Sequence, residues 1–212
     1  MSVRLIAGVA LACAFGLALG PRLALAQDAR LNKRLDPQTA AAVAALVDSA
    51  STLGLPTEPL VQKALEGQSK GASGEAIVHA VRALIRDLAT AREALGDDVS
   101  VDALRLAAAA LDAGATPAQL ERLRPHRSRE SFAGGLAGLV YLMSRGVPAE
   151  QSLDLITAML NARLSAAEFA SLQRLVERDM MAGAPPAEAA AVRARALIQH
   201  GRPTGLDGRV RP

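Results

Sequence analysis

The stretch GLPTEPLVQKALEGQSKGAS, Gly54 to Ser73, places two prolines, two lysines either side of a glycine, and two glutamates within twenty residues. Residues of these types serve either a loop that holds a ligand or a turn between helices. A phosphate-binding loop needs G-x-x-x-x-G-K-[ST] after a strand, because successive backbone amides and the lysine enclose the phosphates. Gly67-Gln68-Ser69-Lys70-Gly71 has neither the spacing nor the strand. As a turn, each residue has a task. Gly54 stops one helix, Leu55 covers its end, and Pro56 opens the next. Glu58 falls in the first turn, where the helix dipole favours negative charge. Gly67, Gly71 and Gly74 are expected to form a second turn, with Ser73 capping a long helix.

The same turn recurs further on. Gly146-Val147-Pro148-Ala149-Glu150 repeats Gly54-Leu55-Pro56-Thr57-Glu58 at an offset of 92 residues, and without a gap that offset takes Ser73 to Ser165, Arg82 to Arg174, Arg86 to Arg178 and Asp87 to Asp179. Shorter echoes stand at Gly114-Ala115-Thr116-Pro117 and Gly183-Ala184-Pro185-Pro186. Two copies of one helical unit are the simplest account, and stacked helix pairs of this kind bury faces that one pair cannot bury alone.

Between the turns, apolar residues recur at threes and fours. Val43, Leu46, Val47 and Ala50 form one stripe; Ile77, Val81, Leu84, Ile85, Leu88 and Leu95 another; Phe132, Leu136, Leu139, Val140 and Met143 a third; Phe169, Leu172, Val176 and Met180 a fourth. That spacing is helical, no stretch alternates with a period of two, and alanine fills the remaining positions. The chain therefore reads as all-α, tandem helical hairpins in two related units forming a bundle or short solenoid. Asp36-Pro37, Thr116-Pro117 and Ser165 with Glu168 mark N-termini. Helices are expected near 37–53, 57–66, 73–95, 101–113, 116–124, 131–145, 149–161, 165–182 and 186–200.

Residues 1–26 read as a secretory signal: Arg4, an apolar run from Leu5 to Leu19, a break at Gly20-Pro21, and Ala24-Leu25-Ala26 before a polar segment. The run is too short and too interrupted for a membrane anchor. Alanine three residues before Cys13 also speaks against lipid attachment there. Cys13 is the single cysteine, so cleavage after Ala26 leaves neither a disulfide nor a thiolate metal site. The expected organisation is a signal at 1–26, a flexible segment at 27–36, a first helical unit at 37–124, a linker at 125–130, a second unit at 131–200 and a disordered tail at 201–212.

Charge and composition narrow the function. The whole chain has 24 basic and 21 acidic residues, and the signal holds two of the arginines and no acid, so the remainder is nearly neutral. Nucleic-acid binding needs basic residues concentrated on one face, and none is expected as a partner. Arg122 to Arg129 is the single basic concentration, around the helix-breaking Pro125; an interdomain loop or a contact with an anionic envelope surface would both use it. Beyond the signal only Phe132, Tyr141 and Phe169 are aromatic, too few for the stacking platforms of sugar clefts or single-strand grooves. His79, His126 and His200 lie in separate segments without metal-ligand spacing, and no serine sits in a nucleophile elbow. No catalytic, cofactor or metal residue is assigned, and no cofactor is expected. Asp97, Asp98 and Ser100 read as a helix-start turn, with Asp102 in the following helix. Arg82, Arg86, Arg174 and Arg178, which recur between the units, are the candidate partner-binding residues, with a solvated face carrying local ion pairs as their simpler reading.

The Gly-x-Pro turn followed by Leu-Val-x-Lys-Ala-Leu-Glu-Gly and Lys-Gly, from Gly54 to Gly71, with Gly146-Val147-Pro148 beyond it, resembles stretches of exported bacterial all-helical proteins built from such helix-turn units. The resemblance spans under half of the chain after the signal and implies no activity or catalytic residue. Together these features lead to the expectation of a periplasmic or secreted, non-enzymatic interaction or scaffold protein of the bacterial envelope, whose partner is an unknown protein or envelope component and which keeps no transmembrane segment after cleavage. The alternatives are an envelope hydrolase using helix-borne carboxylates such as Glu58 or Glu66, and a lipid or membrane-surface binder.

Overall fold

The computed structural model describes residues 29–200; the expected signal and tail lie outside them. The described residues are all-α, without a strand. A helical stretch at residues 29–34 (α1) precedes α2 (Pro37–Thr52), α3 (Glu58–Ser69), α4 (Gly74–Leu95), α5 (Val101–Asp112), α6 (Pro117–Leu123), a 3-10 turn (Arg124–His126), α7 (Phe132–Ser144), α8 (Ala149–Asn161), α9 (Ala166–Met181) and α10 (Pro186–His200). No helix among the described residues is long and apolar enough to cross a membrane.

Six of the helix ends share one backbone device. At Gly54 the amide donates to the Ser51 carbonyl at 2.9 Å, and the Leu55 amide to the Ala50 carbonyl at 2.9 Å. This is the Schellman arrangement, which satisfies carbonyls left open by the helix and turns the next residue inward. The same pair of bonds closes α3 at Gly71, α5 at Gly114, α7 at Gly146, α8 at Arg163 and α9 at Gly183. The following residue is apolar each time, and Leu55, Val147 and Leu164 are 4%, 2% and 2% exposed. A residue that can start a helix comes next. Asp36, Ser73, Ser100, Thr116 and Ser165 each accept a hydrogen bond from the amide three residues on, and Thr116 and Ser165 complete capping boxes with Gln119 and Glu168.

The helices pack in a ladder around two hubs. The long α4 lies against α2, α3, α5 and α6, while α7 lies against α5, α8 and α9, and α10 closes the end against α8 and α9. One continuous apolar core runs from Leu31 to Ala194. The chain between the halves therefore does not separate two cores: Leu123, His126 and Phe132 are all buried around the 3-10 turn, and α5 crosses to α7. Residues 29–34 likewise differ from the flexible segment expected, because Leu31 and Leu35 insert into the core at 1% and 6% exposure.

The two expected units correspond in part. α2 packs on α4 as α7 packs on α9, but α3 leans mainly on α4, whereas α8 sits on α7 and α10. Side-chain size explains the break. A Cβ on Gly135 or Gly138 of α7 would meet Leu160 at 3.2 Å or Ile156 at 2.9 Å, so glycine admits α8 there. The positions 92 residues earlier in α2 hold Val43 and Leu46, side chains too large to admit a helix at the same distance.

Two of the three glycines expected to form the second turn act through size and not through conformation. Gly67 lies inside α3, where a Cβ would come within 2.8 Å of Ile77, and α3 consequently runs to Ser69, beyond the expected end near 66. Gly74 begins α4 against Thr39, with a Cβ only 2.1 Å from the hydroxyl. Gly74→Ala is accordingly expected to cost about 1–3 kcal/mol in urea unfolding, and adding Thr39→Ala should recover most of it, since the two changes share one clash.

His126 yields a second prediction. Its ring is 7% exposed, Nδ1 has no hydrogen-bond partner, and burial, aided by nearby Arg129, pushes its pKa down. The unfolded chain then binds a proton that the folded state resists, so stability should fall as pH drops below about 6.5. Urea midpoints between pH 7.5 and 5 should show that fall, flattened in His126→Gln.

Candidate functional site

Arginine has two distinct duties on this surface. One set pins neighbouring helices together. Arg30 of α1 makes a bidentate pair with Glu58 of α3, at 2.7 and 3.0 Å. Arg122 of α6 reaches Glu150 and, at 2.6 Å, Asp154 of α8, with Gln119 donating to Glu150 at 2.9 Å. Arg193 of α10 forks onto Asp179 of α9 at 2.5 and 2.7 Å. Arg92 of α4 donates to the Leu53 carbonyl at the end of α2. Planar guanidinium suits these two-pronged contacts.

Arg82, Arg86, Arg174 and Arg178 belong to the other set. All four are exposed, and none makes an interhelical ion pair among the described residues. The structure does not gather them into one patch. Arg82 lines a groove between α2 and α4 near the start of α4, alongside Asp36, Ser73 and His79. Arg174 and Arg178 line another, between α7 and α9. Of the repeated arginines, Arg82 borders the α2–α4 seam and Arg174 and Arg178 border the α7–α9 seam, while Arg86 stands exposed on α4 outside both grooves.

The α7–α9 seam is the more elaborate. Tyr141 donates to Glu177 at 2.7 Å, Arg145 pairs with Glu177 at 2.9 Å, and the Arg145 guanidinium lies 5.2 Å from the centre of the Tyr141 ring. Burial and the bond to Glu177 raise the Tyr141 pKa, opposed by Arg145. Arg174 donates to the Ser171 hydroxyl at 2.9 Å, Arg178 has no hydrogen-bond partner among the described residues, and Met181 is 84% exposed beside them. An amphipathic ring, free guanidinium and an exposed thioether are residue types favoured at protein contacts. Tyr141 and Arg145 were absent from the sequence-based candidates because the signal used there was recurrence at the 92-residue offset, and residues 49 and 53 are Ser49 and Leu53.

The carboxylates considered for hydrolysis do not come together. Glu58 is engaged by Arg30 and Gln62, and these bonds hold it below the usual carboxylate range. Glu66 is lowered by its pairing with Lys70, and Lys63 adds to the effect. Glu66 nevertheless lines an open groove of about 440 Å³ between α3, α4 and α5, with His79, Asp87, Arg105 and Asp112. Asp87 is pushed up there by burial and by the charge of Asp112, with Arg86 opposing. Among the described residues no cluster of three or more histidine, cysteine or acidic side chains has metal-binding geometry.

No family model, curated protein or solved structure matches the chain.

Because Asp87 is harder to ionise when folded, its contribution to stability is present in acid and lost as pH rises through its folded pKa. Asp87→Asn should therefore raise the melting temperature at pH 7, and the advantage should vanish below about pH 4, near the unfolded value.

Proposed function

We propose that this is an exported helical scaffold of the bacterial envelope, which binds a protein partner through arginine-bearing seams and has no catalytic role. The observation that carries the reading is the division of labour among arginines: Arg82, Arg86, Arg174 and Arg178 stay exposed and outside interhelical ion pairs, while Arg30, Arg122, Arg145 and Arg193 are spent on holding helices together. The exposed set recurs at the 92-residue offset, Arg82 bordering the α2–α4 seam and Arg174 and Arg178 the α7–α9 seam, and the second seam adds Tyr141 and Met181. Export rests on the signal-like residues 1–26, which mass measurement of the mature chain would test; Gln27 is the expected first residue.

The reading is tested by affinity capture from an envelope extract with the mature protein and with a variant carrying Arg82→Ala, Arg86→Ala, Arg174→Ala and Arg178→Ala. A specific partner should be retained by the wild type and weakened by roughly tenfold or more in the variant, since loss of several charge-assisted contacts is worth a few kcal/mol. Identical partner yields from both proteins would reject the arginine seams. Circular dichroism should show the same helix content for both, because these side chains are solvated.

A second reading, hydrolysis of an envelope polymer, has one observation in its favour. Glu66 and Asp87 line the same groove with pKa values displaced in opposite directions, the pattern that separates a carboxylate base from a carboxylic acid. Release of soluble fragments from purified cell-wall material, abolished by Asp87→Asn, would support it over the scaffold reading.

A further inference from the structure

Two helices in this fold point the same end at one place. The first turns of α7 and α9 touch: a Cβ on Gly134 would lie 3.3 Å from the Ala166 Cα and 3.5 Å from its Cβ. Each helix, 13 and 16 residues long, carries a partial positive charge at that end, along with amides that have no carbonyl within the helix to accept them. Placed side by side, the two ends repel unless an anion stands between them. Glu168 supplies part of that charge by accepting from the Ser165 amide and hydroxyl at 2.6 and 2.8 Å. The α7 end receives no such cap.

Ser131 occupies the capping position of α7 and makes no side-chain capping bond, unlike Ser73, Ser100 and Ser165 at equivalent places. It is 9% exposed, its hydroxyl has no hydrogen-bond partner among the described residues, and it lines a groove of about 520 Å³ that Ala166 and Ala167 also line. Its side chain is otherwise covered, so the open groove is where this hydroxyl can meet a hydrogen-bond partner.

Two guanidinium groups border the same groove. Arg129 and Arg163 form neither an ion pair nor a side-chain hydrogen bond among the described residues. Glu130 is the acid on the rim, and it lies beyond ion-pair distance of both. Arg163 also stands in the left-handed conformation, with φ of 59°, at the turn position that glycine fills in the five other Schellman ends. Glycine would be the easier residue for that backbone.

We propose that this groove is a binding site for a phosphate-type oxyanion, held by the Ser131 hydroxyl, the opening amides of α7 and α9, and the guanidinium groups of Arg129 and Arg163. The chemistry is shared by free phosphate and by the headgroup of an anionic phospholipid. It does not depend on the arginine seams, since none of Arg82, Arg86, Arg174 or Arg178 lines this groove.

The test uses the mature protein and three variants, Arg163→Gly, Arg129→Gln and Ser131→Ala. Arg163→Gly is the decisive one, because it restores the residue that the turn prefers and so separates loss of binding from loss of fold. Inorganic phosphate, titrated against chloride at constant ionic strength, should raise the wild-type melting temperature in a saturable way. Apparent affinity should fall by roughly tenfold or more in Arg163→Gly and Arg129→Gln, and by less in Ser131→Ala. Flotation with phosphatidylglycerol vesicles, against neutral vesicles, separates the sources. Flotation of wild type that Arg163→Gly abolishes assigns the headgroup; a phosphate response without flotation assigns the soluble ion. No response to either, or an equal response in wild type and Arg163→Gly, overturns the site.

Discussion

The geometry of this protein depends on how a helix ends. A Schellman turn commits two amides to carbonyls of the last helical turn and leaves little freedom in the direction of the outgoing chain. With an apolar residue directly after it, the chain is anchored in the core before the next helix begins, and a proline or a capping side chain then starts that helix within two or three residues. Leu55, Val147 and Leu164 are therefore structural fasteners as much as core residues. Six such ends among the described residues fix most of the angles at which apolar stripes meet. Gly96 differs, because the α4 cap has a single bond to the Arg92 carbonyl, and α6 runs directly into the 3-10 turn.

Short connections between alanine-rich helices set the second constraint. Alanine buries little area, so the core gains its contacts by bringing backbones close, and dispersion summed over many near contacts replaces large side chains. Ala107, Ala108 and Ala110 of α5 are all essentially inaccessible, as are Ala189, Ala190 and Ala194 of α10. Phe132 and Phe169 are the two large rings in this core, each fully covered. At α7 the approach goes further, with Gly135 and Gly138 seating Leu160 and Ile156. Those two glycines cost helix propensity of about 1 kcal/mol each, which the closer packing of α8 offsets.

Most of the helix boundaries could be read from residues at their ends, since proline, glycine and capping side chains act locally and their effects do not need the rest of the fold. The opening stretch turned the chain where Gly54 ended α2 and Ser73 capped α4, but Pro56, read as opening the next helix, stands in the turn before it, and α3 begins at Glu58 with Pro59 in its first turn. What depends on contact with distant residues was not legible. Nothing near Gly67 or Gly74 says that Ile77 and Thr39 will press on them, and both were read as turn glycines. The burial of Leu31 and the single core across 125–130 needed neighbours from other helices. At the candidate surface, periodic recurrence picked out Arg82, Arg86, Arg174 and Arg178, but Tyr141 and Arg145 join Arg174 and Arg178 only because α7 packs on α9. Arg163 was overlooked for a different reason: glycine advertises a left-handed turn, and arginine in the same conformation leaves no mark in the sequence.

The proposed recognition by this surface would proceed without large exposed rings, since Phe132 and Phe169 are buried. A single solvent-exposed arginine contributes little, because water and salt screen it and its side chain loses freedom when it binds. On the proposed scaffold reading, arginines on separate helices would change the balance, for a partner that engages Arg174 and Arg178 would meet Arg82 at an effective concentration set by the spacing between them. A ladder of helices is suited to this because its Schellman ends hold the seams in fixed relation. On that same reading, the rigidity that follows from turn geometry would be the source of affinity, and a partner of the wrong length or spacing would make one contact without the other.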